Sequence, residues 1–178
     1  MKIQFLSKKS GFISATAIKN RRAGFTLIEI LVVIGLIAIL ATIVIVAINP
    51  ARQFAQARNS QRTSNVNAIL NAIGQNLADN KGIFTCTTVP GAVIDDTLRN
   101  IEDGAAAGIS NLRPCIVPTY MSEIPYDPSM SGAHVTSDTD YDTKYKVQKN
   151  ATTQRITVCA PGSVEAALGS PPEICVTR

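Results

Sequence analysis

Nineteen consecutive residues, Ile30 to Ile48, carry no charge, and only Gly35 and Thr42 interrupt their aliphatic side chains. As a helix the run covers roughly 28 Å, close to the hydrocarbon thickness of a bilayer. It is apolar on every side, so it predicts a membrane-spanning helix and not the one-faced helix of a globular core. A single carboxylate, Glu29, stands at its entrance, preceded by Arg21-Arg22-Ala23-Gly24-Phe25-Thr26-Leu27-Ile28. The polar-to-apolar boundary lies ahead of the apolar segment. A cut after Gly24 therefore leaves that segment on the mature protein, whereas an ordinary secretory leader loses its apolar stretch.

The charge distribution follows the same boundary. Of 17 lysines and arginines, Lys2, Lys8, Lys9, Lys19, Arg21 and Arg22 lie in residues 1–24, which contain no acid. From Phe25 onward 11 basic residues face 13 acidic ones, so a chain with net charge +4 leaves a processed product whose side chains sum to −2. The basic excess fits a leader held on the cytoplasmic side. It gives no support to nucleic-acid binding by the remainder.

Beyond the apolar run, Asn49-Pro50 marks a kink or the first turn of a new helix. Val66, Ile69, Leu70, Ile73 and Leu77 then recur at helical spacing as one apolar stripe, and Asp79-Asn80-Lys81-Gly82 ends it. If Phe25 to Asn80 were one unbroken helix it would span roughly 84 Å, far more than a bilayer. Its second half is expected to leave the membrane and cover something. The remaining residues supply the partner: Tyr141, Thr143, Tyr145 and Val147 alternate with polar residues, and Ile156 and Val158 share a face across the Asn150-Ala151 turn, which reads as an antiparallel hairpin. Ile174–Thr177 is expected as a last strand. The fold class predicted is α+β, a long N-terminal helix packed on a small antiparallel sheet. The organisation expected is a leader over 1–24, a transmembrane segment over 25–48, an amphipathic helix over 49–82 and a globular β head over 83–178.

Four cysteines, Cys86, Cys115, Cys159 and Cys175, all lie beyond the apolar run. An even count in a small exported domain predicts two disulfides. Of three possible pairings, chain order favours Cys86–Cys115 with Cys159–Cys175. A zinc site is the alternative, but no cysteine pair has the short separation of a zinc knuckle and His134 is the only histidine. Asp138, Asp140 and Asp142 echo a calcium loop, yet Thr143 and Lys149 stand where an EF-hand places its glycine and bidentate glutamate, so a solvated loop is the expectation. Arg52, Arg58 and Arg62 follow the membrane segment and are expected on a solvated face, with lipid headgroups, acidic residues of neighbouring subunits or DNA as the alternative contacts. The tyrosines Tyr120, Tyr126, Tyr141 and Tyr145 are expected in core or hairpin packing. With no Gly-rich phosphate loop and no nucleophile beside a base, no enzyme, no metal and no cofactor is expected.

The run Gly24-Phe25-Thr26-Leu27-Ile28-Glu29 with the adjoining apolar segment resembles the type IV pilins and the pseudopilins of type II secretion systems. The polar-then-amphipathic continuation from Gln53 to Leu77, and more loosely Tyr120–Pro128, are similar to the same family. The resemblance implies cleavage between Gly24 and Phe25 by a prepilin peptidase, with N-methylation of the new Phe25 amine. It implies a single-pass precursor in the cytoplasmic membrane, then self-assembly into an extracellular or periplasm-spanning filament. An assembly platform protein and its ATPase are the partners implied. Glu29 is the expected assembly residue, pairing with the Phe25 amine of a neighbouring subunit. A carboxylate in an apolar helix costs on the order of 2.5–3.5 kcal/mol at the bilayer centre, and a buried pair of this kind serves better as a registry device than as a source of stability. The function expected is a structural filament subunit, and the alternatives are a secretion pseudopilin or a minor tip pilin or adhesin binding a surface or DNA.

Overall fold

The computed structural model describes residues 24–86, 92 and 94–178, without the side chains of Val46 and Ala47. The leader expected over 1–24 lies almost wholly outside the described residues, as does the Pro90-Gly91 loop. The architecture is α+β, and the chain divides into two units, one ending at Val44 and the other spanning Ile45–Arg178.

The first unit contains most of helix α1, Leu27–Ala47. Its stretch Leu27–Ile45 is long and apolar enough to cross a membrane. Every described side chain along it is exposed. The only hydroxyl inside it, Thr42 Oγ1, donates to Ala38 O at 2.8 Å, so the helix satisfies that group without water.

The first helix lying wholly within the second unit is α2, Pro50–Asp79. Asn49 is its N-cap, accepting from Arg52 N at 3.2 Å, and Pro50 occupies the first turn, where a missing N–H costs nothing. The helix stops where Gly82 N donates to Leu77 O at 2.7 Å, with Lys81 and Gly82 both at positive φ. The predicted stripe turns inward: Val66, Ile69, Leu70 and Ile73 are buried and Leu77 packs at the edge of the same cluster.

The stripe rests on a five-stranded antiparallel sheet: β1 (Arg99–Glu102), β2 (His134–Ser137), β3 (Asp140–Lys149), β4 (Ile156–Ala160) and β5 (Ile174–Thr177). The order is β1-β3-β4-β5, with β2 also paired to β3. Tyr141, Thr143, Tyr145 and Val147 form the buried face of β3, and Tyr141, Tyr145 and Val147 join Val158 and Ala160 of β4 and the α2 stripe in one core. Helix α3 (Arg113–Ile116) closes the core with Leu112, Ile116 and Ile124. Strands β1 and β2 and helix α3 were not expected. Between Asn100 and Glu102 the register on β3 jumps from Lys146 to Asp142, and Lys144, inside this bulge, takes φ 60°. Asp127 N donates to Thr143 O at 2.9 Å there, which docks the Tyr120–Pro128 loop against the sheet.

Two disulfides staple the unit. Cys86 joins Cys115, tying the chain after α2 to α3, and Cys159 joins Cys175. Cys159 and Cys175 are directly opposed on β4 and β5. Ile156 and Arg178 exchange both backbone hydrogen bonds, so alternation makes the cysteine pair a non-hydrogen-bonded one, where strands approach most closely.

Candidate functional site

The N-terminal motif is built by a helix start. Residues 24–26 are non-helical and exposed, and α1 begins at Leu27. Thr26 Oγ1 accepts from Glu29 N at 3.2 Å, while Glu29 Oε2 accepts from Thr26 N and from Thr26 Oγ1, each at 2.8 Å. This reciprocal Thr-x-x-Glu arrangement is a capping box. The first main-chain helical bond runs from Ile30 N to Thr26 O at 3.3 Å. Glu29 is therefore held within its own chain by Thr26, a contact the sequence analysis does not name, although Thr followed by Glu three residues later before an apolar run is the available signal. A Cβ added to Gly24 would meet nothing within 4 Å, and its φ is not left-handed. Nothing among the described residues requires glycine at that position.

In the second unit the arginines do something else. Arg62 is fully buried and all five of its N–H groups are used. Nε and Nη2 donate to the two oxygens of Asp127 at 2.7 and 3.0 Å. Nη2 also reaches Ser129 Oγ at 2.7 Å, and Nη1 reaches Asn59 Oδ1 at 2.8 Å and Glu165 Oε1 at 2.7 Å. Arg58 grips Glu165 with two bonds, at 2.7 and 2.8 Å. Two cations and two carboxylates thus close a neutral network, and the solvated or intersubunit role expected for Arg58 and Arg62 gives way to an internal one. Only Arg52 of the three arginines is exposed. The signal that could have found Arg62 is its spacing: with Val66, Ile69 and Ile73 it falls on the inward face of α2.

The network's electrostatics follow from its geometry. The hydrogen bonds from Arg58, and then from Arg62, lower the Glu165 carboxyl to about 2. Burial pushes Asp127 up, but Arg62 and the N–H groups of Ser129 and Met130 outweigh it and hold the group below the ordinary range. Tyr145, buried and accepting from Asn65 Nδ2 at 2.9 Å, is pushed up to about 12 by desolvation.

The acidic run disperses. Asp138 pairs with Arg113, Asp140 with His134 and Thr136, and Asp142 with Lys144. The three carboxylates thus answer to three different sets of partners. His134 opens β2, bonding Gly132 O at 2.7 Å and Asp140 Oδ1 at 3.1 Å. Among the described residues, one group of three metal-capable side chains converges, Cys159, Glu173 and Cys175, and its cysteines are the disulfide pair.

An apolar helix with a capped start and a length sufficient to cross a membrane, in a chain with a disulfide-stapled α+β head, fits a membrane-anchored precursor. Residues 19–45 match the family model described as the prokaryotic N-terminal methylation motif. The chain carries the signature of type IV pilins and pseudopilins, which implies processing by a prepilin peptidase and assembly into a filament. No curated protein and no solved structure matches the chain.

Proposed function

We propose that this chain is the precursor of a structural subunit of a type IV pilus-like helical filament. A prepilin peptidase removes residues 1–24 by cutting between Gly24 and Phe25, and the Phe25 amine is methylated. The segment 25–48 holds the subunit in the cytoplasmic membrane until an assembly platform and its ATPase extract it. In the filament the 25–48 helices bundle, 49–82 continues outward, and the 83–178 heads form the shell.

One observation carries this reading. Helix α1 is 21 residues long and all its described side chains are exposed. Such a surface is stable only against lipid or against other apolar helices. Glu29 is the one acid in that helix, and exchanging its intrasubunit Thr26 contact for a neighbour's ammonium would fix axial register during docking. Two cysteine pairs, one clamping the C-terminal strand, resemble the arrangement in pilins and favour a pilus subunit over a secretion pseudopilin.

The test is mass spectrometry of the mature protein together with electron microscopy of sheared surface material. The expected result is a chain beginning at methylated Phe25 that dominates thin filaments. A soluble monomer lacking 25–48 would overturn the proposal, and trace abundance in the filaments would point to a minor tip pilin.

A further inference from the structure

We infer that Thr26 is a positioning residue for processing: its capping box halts α1 at Leu27, two residues beyond the scissile bond, and keeps Gly24–Phe25 outside the helix for the peptidase. The inference rests on the cleavage proposed above.

The hydrogen bonds show how the stop works. Extending α1 backward by one residue would require Glu29 N–H to bond the Phe25 carbonyl, and by two residues Ile28 N–H to bond the Gly24 carbonyl. The Glu29 N–H is already taken by Thr26 Oγ1, and the Thr26 N–H by Glu29 Oε2. The first of these bonds opposes propagation toward the cut, and the second steadies the capped turn that makes it. Gly24, among the weakest helix formers, adds to the stop, and no described residue crowds its Cβ position. Phe25 is 84% exposed, so the bond is open to approach. Peptide hydrolysis requires attack on the Gly24 carbonyl carbon by water, with the proton passing to the departing Phe25 nitrogen. A carbonyl locked into a helix, packed by the next turn, is poorly placed for that attack. By holding the bond outside the helix, Thr26 presents a ready substrate in place of one that must first unwind.

The experiment uses the full-length chain in detergent micelles with a purified prepilin peptidase, following appearance of the Phe25 terminus by mass spectrometry. Thr26→Ala removes the cap and inserts a strong helix former. Its kcat/KM should fall by up to about fivefold, the factor equivalent to about 1 kcal/mol of capping energy. The loss should lie in KM, because only a fraction of the substrate is competent. Thr26→Ser and Thr26→Asn both cap well and should keep the wild-type rate. Equal cleavage of Thr26→Ala and wild type would overturn the inference while leaving the processing proposal intact. So would a loss in Thr26→Asn as large as in Thr26→Ala, since that pattern marks a pocket fitted to threonine. A wild-type chain not cut after Gly24 would remove the processing proposal, and this inference with it.

Discussion

Arg62 and Asp127 lie 65 residues apart in sequence and meet through two parallel hydrogen bonds, with both side chains fully buried. The pair joins the first half of α2 to the loop that docks on β3. Through Nη1 of Arg62 it also reaches Glu165, in the segment between β4 and β5. Three regions that local sequence could not bring together are thus held by one guanidinium.

Removing either member leaves a buried charge without its partner. Asp127→Ala and Arg62→Ala should each destabilise the protein by about 3–5 kcal/mol, read from urea unfolding of the chain in detergent. The double variant should cost less than the two singles combined, because neither orphan charge remains.

The same network sets an acid limit. Glu165 titrates at about 2 in the folded protein against an ordinary value of 4.5. A folded value below the unfolded one means the stabilisation is complete above about 4.5 and is lost as pH falls towards about 2. Arg58→Gln removes the larger cause of that depression. Its unfolding free energy should be lower at neutral pH and should change less across this window in a pH series.

Gly162 is needed for space. A Cβ there would stand 2.5 Å from Asp127 Oδ2 and 2.8 Å from Met130 Cγ. Gly162→Ala should cost about 1–3 kcal/mol by overpacking, with thermal unfolding as the measurement. In an Asp127→Ala background, where the carboxylate is gone, the added cost should shrink.

The Cys159–Cys175 bridge closes a segment with a sequence separation of 16, worth about 3 kcal/mol on the loop-entropy account. Replacing both cysteines with serine should release the short edge strand β5 first. Hydrogen exchange at Val176 should accelerate while Tyr145 in β3 stays protected.

Glu29→Ala tests the assembly role. The variant should still enter the membrane and be processed, yet should be missing from sheared filaments. Normal incorporation would refute the registry role.

Several elements were legible because their cause is local. The apolar run reads as α1 since nothing but side-chain chemistry over some twenty residues decides it. The α2 stripe and the alternation of β3 announce themselves through periods that one surface imposes. The hairpin of β3 and β4 follows from two such runs joined by a short turn. Strands β1 and β2, four residues each, are too short for periodicity to register, and they exist because β3 offers edges to pair with.

Charge was the other limit. Arginine on a helix reads as solvated by default, since burying it without partners is prohibitively costly. The partners of Arg62 arrive from residues 127, 129 and 165, after the sheet has formed. By itself the sequence determined an apolar helix, the helical stripe and a sheet for it to cover, because hydrophobic periodicity is written residue by residue. Only tertiary structure decided which charges went inside and which backbone edges were paired, because those choices depend on groups tens of residues away.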